Sequence, residues 1–197
     1  MPPYPSGARS LHFDAKIMSH LSEKRRIGAK VGTMITEGSS IGLGGGTTVM
    51  QILPAIRRMK LKLITTAVNV ALDLRDTKTI SVTLTGGTLR RRTAEMVGHI
   101  AERTLRDVNL DVAVIGVDGI DLLGGLTTFD SSEAYVNRVM LEQAREVWIV
   151  ADHSKFGQVL PALIAPINRT TRLITDKAAN ESIISSLIVA GVDVVQV

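Results

Sequence analysis

Cysteine is absent from the 197 residues, so the chain has no disulfide framework, thiol nucleophile or Cys-based zinc site. That fits a reducing compartment, and a cytoplasmic protein is expected. Aromatics are scarce too: one Trp, two Tyr and three Phe leave few platforms for stacking single-stranded bases or flat sugar rings. A lectin-like or RNA-stacking role is disfavoured. The four histidines, His12, His20, His99 and His153, are scattered with no His-x-x-x-His pair, and no metal is expected. No stretch reaches the roughly 18 apolar residues of a membrane span, and the opening Met1-Pro2-Pro3-Tyr4-Pro5-Ser6-Gly7 lacks the basic and apolar regions of a secretory signal. The expectation is a soluble protein that is not exported and has no membrane partner. Net charge is only +4, and the basic clusters Lys24-Arg25-Arg26, Arg57-Arg58-Met59-Lys60 and Arg90-Arg91-Arg92 are short and dispersed. They read as solvated faces rather than a duplex-DNA footprint.

What the chain has in quantity is apolar residues, 45% against 21% charged, enough for one well-cored domain. From Ala15 to Glu37 the residues Ile17, Leu21, Ile27, Val31, Met34 and Ile35 recur at mostly helical spacing, with Gly38 as a stop. Short apolar runs then alternate with helical ones. Strands are predicted at 41–43, 61–65, 80–85, 112–116, 147–151, 173–175 and 192–197. Helices are predicted at 49–59, 68–74, 94–105, 132–144 and 180–190, with Pro54 kinking the first or shifting its start. This β-α alternation predicts an α/β fold: a largely parallel, Rossmann-like sheet with helices on both faces. Ligands of such sheets gather beyond the carboxyl ends of the strands.

The unusual residues follow those ends. Leu43-Gly44-Gly45-Gly46-Thr47-Thr48 links a strand to a helix, and its glycines let backbone N–H groups approach a ligand while its threonines add hydroxyls. That chemistry suits a phosphate, although a Gly-rich turn can also be purely structural. Neither the GxGxxG spacing nor a GK[ST] lysine is present, which favours a small phosphorylated metabolite over a dinucleotide or triphosphate. Gly86-Gly87-Thr88-Leu89-Arg90, Gly116-Val117-Asp118-Gly119-Ile120 and Ala151-Asp152-His153-Ser154-Lys155-Phe156-Gly157 follow three further strands. If these strands are parallel neighbours, the loops open on one rim whose donors and carboxylates suit a phosphate and polyol hydroxyls. Taken singly, Asp118 and Asp152 could merely cap turns, and Lys155 and Arg90 could be solvated.

Together these segments, with Glu23-Lys24-Arg25, Thr65, Gly98, Gly125-Leu126-Thr127-Thr128, Glu133-Ala134 and Ile174-Thr175-Asp176, resemble the effector-binding domain of the DeoR family of bacterial sugar-metabolism regulators. The resemblance runs from about residue 20 to the C-terminus. It implies a fold like ribose-5-phosphate isomerase and glucosamine-6-phosphate deaminase, and a phosphorylated sugar as effector. It implies ligand-binding roles for Gly45, Gly46, Thr47, Thr48, Thr65, Gly86, Gly87, Arg90, Asp118, Glu133 and Lys155, with Gly46, Thr47, Thr48 and Lys155 at the phosphate and Asp118 and Glu133 at sugar hydroxyls. Gly44 and Thr66 stand where family members commonly carry Asp and Asn.

Such regulators carry a winged helix-turn-helix ahead of this domain. Here residues 1–14 are expected to be a linker remnant and 15–197 the sensor, so DNA would be contacted only through a reader outside this sequence. The chain is then a fragment or a stand-alone sensor, the first preferred. No cofactor and no catalysis are expected, and the assembly is expected to be a homodimer or homotetramer. The rival is a sugar-phosphate isomerase or deaminase of the same fold with Glu133 or Asp118 as base. No histidine flanks Asp118 to relay protons.

Overall fold

Along the central strands, apolar residues point alternately to two sides, and this alternation creates the layers. The computed structural model describes residues 18–197. The proposed linker remnant, and Ile17 at the head of the predicted first helix, lie outside the described residues. The strands β1 (Ser40–Leu43), β2 (Leu61–Thr65), β3 (Ile80–Leu84), β6 (Leu110–Gly116), β9 (Ala144–Val150), β11 (Arg172–Thr175) and β12 (Asp193–Gln196) form one sheet in the order β12-β11-β9-β6-β1-β2-β3. Every pairing in it is parallel. Each of the seven coincides with a predicted strand to within about three residues.

Val112, Val114, Trp148, Val150 and Ile174 face one apolar layer, completed by α1 (Leu21–Met34), the single turns α2 (Thr47–Met50) and α3 (Leu53–Ile56), and α4 (Val68–Leu74). Their neighbours Ala113, Ile115, Val147, Ile149 and Leu173 face the opposite layer, built with α5 (His99–Arg106), α6 (Ser131–Glu142) and α7 (Glu181–Val189). A parallel sheet leaves no face to water, hence its continuous apolar runs.

Two predicted helices are redrawn. In place of one helix over 49–59 there are two turns, and Pro54 sits in the first turn of α3, where its missing N–H costs nothing. In place of a helix from Ala94, residues Glu95–Val97 (β5) pair antiparallel with Thr88–Arg90 (β4), and the helix begins after Gly98. Ala94 at φ 55 and Gly98 at φ 88 break the helical path on either side of β5. A second antiparallel unit, β7 (Gly119–Asp121), β8 (Gly125–Thr128) and β10 (Ala162–Ala165), lies outside the predicted strands. Its strands have three or four residues each, too few for a period-2 pattern to register.

Candidate functional site

Strands β9, β6 and β1 are adjacent, and the loops leaving their carboxyl ends meet in one cleft of about 750 Å³, its open mouth included. The chain leaves β1 toward β2 on one side while β6 lies on the other, which makes this a switch point of the sheet, where a crevice must form. From the expected set, Gly45, Gly46, Thr47, Thr48, Asp118, Glu133 and Lys155 line the cleft. Thr65, Gly86, Gly87 and Arg90 do not. Thr65 is fully buried and its hydroxyl accepts the Ala67 amide at 3.0 Å. Gly86 and Gly87 turn the chain at φ 72 and 115, and a side chain on Gly87 would strike the Val97 carbonyl.

Arg90 stands behind the cleft wall. Its guanidinium donates to Glu133 Oε2 at 2.7 Å and to Thr93 Oγ1 at 2.9 Å, and lies 3.3 Å from Asp130. Asp130 caps α6, its Oδ1 accepting the Ser132 and Glu133 amides at 3.0 Å each. Cap, arginine and first helical turn together hold the Glu133 carboxyl in place.

Ser19, Lys24, Thr93 and Glu95 line the cleft too, outside the expected loops, as do Gly116 and Val117 of the expected rim loop. Glu95 arrives on β5, whose hairpin is tied to the loop after β2 by Met96 N to Thr66 O at 2.7 Å and Val68 N to Ala94 O at 2.8 Å. Its Oε1 accepts the Gly45 amide at 3.0 Å, so that amide already has an acceptor and the loop's donors for a ligand are those of Gly46, Thr47 and Thr48. Only glycine permits this approach, because a Cβ on Gly45 would collide with the Glu95 carboxyl. Gly46, at φ 112, carries the turn itself.

One end of the cleft is therefore acidic. Burial pushes Glu95 above the ordinary glutamate value. Burial, then repulsion by Glu95 and Asp118, pushes Glu133 up to about 8 against the pull of Arg90. Thr128 Oγ1 lies 3.1 Å from both Asp118 Oδ2 and Glu133 Oε1. A hydroxyl has one proton to donate, so with both contacts made one carboxyl must be the donor, and a neutral Glu133 fills that role. Lys155 and Lys24 bring positive charge to the same cleft. Asp152, between them, is opposed by its burial, yet the Ser154 hydroxyl and amide and the two lysines hold it below the usual aspartate range.

Lys24 was visible in sequence. Residues 24, 27, 28 and 31 form the buried stripe of α1, and a lysine on an apolar stripe is the anomaly to look for. Glu95 left no such signal, because its strand β5 lay inside a predicted helix. Among the described residues no group of His, Cys, Asp and Glu is arranged to hold a metal ion, and no helix is long and apolar enough to cross a membrane.

A family profile described as the DeoR C terminal sensor domain matches residues 19–177. Similar proteins include the HTH-type transcriptional regulator GlpR of Haloferax volcanii, 32% identical over 98% of this chain and 76% of its own length. The glycerol-3-phosphate regulon repressor of Escherichia coli is 30% identical over 93% of this chain and 73% of its own. The HTH-type transcriptional repressor GlcR of Bacillus subtilis is 30% identical over 92% and 70%. Among solved structures, ribose 5-phosphate isomerase A of Methanocaldococcus jannaschii superposes with a TM-score of 0.51 over 70% of this chain, and that of Neisseria gonorrhoeae with 0.50 over 68%. At 18% identity these two establish a shared fold only, and the match spans about half of each isomerase chain.

Proposed function

The chain belongs to the DeoR C-terminal sensor domain family, and on that premise we propose that its cleft binds a phosphorylated sugar or polyol that regulates an attached DNA-binding domain. One observation carries the proposal: loops from three adjacent strands meet so that the Gly46–Thr48 donors and an ammonium lie in the same cleft as Asp118 and Glu133. In this reading the Gly46–Thr48 amides, the threonine hydroxyls and Lys155 hold the phosphate, and Asp118 and Glu133 hold hydroxyls. Since α2 is a single turn, these local donors rather than a helix dipole supply the attraction. Three or four charge-assisted hydrogen bonds of roughly 1.5–3 kcal/mol each, less the cost of ordering ligand and loops, give micromolar to millimolar affinity, suited to metabolite sensing. The relative named for a glycerol-3-phosphate regulon supports a phosphorylated polyol as ligand class. DNA would be reached through an N-terminal winged helix-turn-helix, in a cytoplasmic homodimer or homotetramer.

Calorimetry with sn-glycerol 3-phosphate and hexose 6-phosphates tests this directly. Saturable binding weakened about tenfold or more by Lys155→Ala, with little change in melting temperature, is the expected result. No binding of any of these ligands overturns the effector reading; undiminished binding by Lys155→Ala removes Lys155 from the site.

A carboxyl held near 8 also favours a second reading, general acid–base chemistry on a sugar phosphate. Clamped by Arg90, Glu133 is better placed to hold a hydroxyl than to travel with a proton. Isomerase turnover with pentose or amino-sugar phosphates, abolished by Glu133→Gln, would overturn a purely sensory role.

A further inference from the structure

Two ammonium groups line the cleft, and they come from different parts of the chain. Lys155 lies on the loop after β9, half-buried. Lys24 lies on α1 with only 4% of its side chain exposed, and a lysine that dry requires anionic or carbonyl partners. Its Nζ donates to the Ser19 carbonyl at 2.6 Å and stands 3.9 Å from Asp152 Oδ2, an ion pair too long for a hydrogen bond. Asp152 Oδ2 is itself buried and accepts no hydrogen bond among the described residues. An anion beside Thr47 and Thr48 would therefore share the cleft with an ammonium less screened by water than that of Lys155.

The turn that Lys24 holds leads into α1 from the upstream chain. Ser19 and Lys24 are cleft wall, and between them His20, at φ 52, sets its ring edge-on to His153 with centroids 4.5 Å apart. His153 in turn meets Asp176 at 2.9 Å. From Gly28 onward α1 is fixed, since a Cβ at Gly28 would collide with the Gln51 carbonyl and one at Gly32 with the Ala55 side chain. At its start, the Lys24 bond to the Ser19 carbonyl ties the 19–20 turn to the cleft wall.

Resting on the effector reading above, we propose that Lys24 is a second phosphate ligand, and that a bound anion, by drawing Lys24 from Asp152 and Ser19, re-seats the 19–20 turn and so reports occupancy to the chain upstream of it. The absence of cysteine makes the test clean: Met18→Cys, at an exposed position, accepts a single environment-sensitive fluorophore. The probes are inorganic phosphate, sn-glycerol 3-phosphate and glucose 6-phosphate, each followed by calorimetry and by label emission. The label should respond along the binding isotherm. Lys24→Met should weaken binding at least tenfold and abolish the response at saturation, Lys24→Arg should keep part of both, and Lys155→Ala should weaken binding but keep the saturated response. A label that stays silent at saturation in the otherwise native chain, or a cooperatively melting Lys24→Met protein with native affinity, overturns the inference while leaving the effector reading intact. Should Lys24→Met fail to fold, the labelled native chain and Lys24→Arg decide by the same criteria. Failure of every probe to bind the native chain overturns both.

Discussion

Glu133 shows how one side chain acquires its properties from its surroundings. Its value in the folded protein, about 8, lies above the ordinary 4.5, so the folded state holds the proton more tightly than the unfolded one. The stabilisation is complete below the unfolded value and disappears as pH rises through about 8. Between about pH 6 and pH 9 the native protein should lose roughly 2.7 kcal/mol, about 5–10 °C in Tm. Glu133→Gln, which keeps the shape and cannot ionise, should remove most of that slope in a series of thermal melts. An unchanged slope would mean that Glu133 is ionised throughout. Gly45 illustrates a different constraint: Gly45→Ala should displace the Glu95 carboxyl from the Gly45 amide and cost about 1 kcal/mol in chemical denaturation, since the obstacle is the end of a side chain at the cleft wall.

At the level of the element, α1 and α6 are seated by opposite means. α1 has no side-chain cap, and its position rests on the close approach of Gly28 to Gln51, just after α2. Gly28→Val should therefore cost about 3 kcal/mol or more, because the obstacle is a backbone carbonyl that cannot rotate away. It should also weaken phosphate-ligand binding by shifting α2 relative to the cleft, which calorimetry would detect. α6 is seated by Asp130, which caps the helix and pairs with Arg90. Asp130→Ala should cost about 1 kcal/mol for the lost cap, read in chemical denaturation.

Over the whole molecule, the central sheet joins two apolar layers, so neither can melt without exposing the other's strands. Trp148, the single tryptophan, is buried on that sheet with its Nε1 donating to Glu146 at 2.7 Å. Its fluorescence and the far-UV circular dichroism should therefore report one coincident unfolding transition. Ile115→Ala, at the buried sheet face, should lower that stability by about 2–5 kcal/mol. A ligand present at a hundred times its Kd should stabilise the native state by about 2.7 kcal/mol, raising Tm by about 5–10 °C for a chain of this size. Separate fluorescence and dichroism midpoints would show that the layers unfold independently.

The sequence alone determined the central sheet, because each buried parallel strand is a short apolar run bounded by turn residues, a signal local to five or seven positions. It marked out the cleft loops for the same reason: Gly44 to Thr48 and the Gly116 and Ala151 loops are contiguous segments whose chemistry is written in neighbouring residues. Only the tertiary structure decided which charges meet. Lys24 and Lys155 are separated by 130 positions, and Glu95 reaches Gly45 through a hairpin of three-residue strands that no periodicity could reveal. Arg90, grouped in sequence with a solvated basic run, is turned by that hairpin onto Glu133, behind the wall it was expected to line. Strand order and burial are global quantities, and they alone convert scattered carboxyls and ammoniums into one polarised cleft.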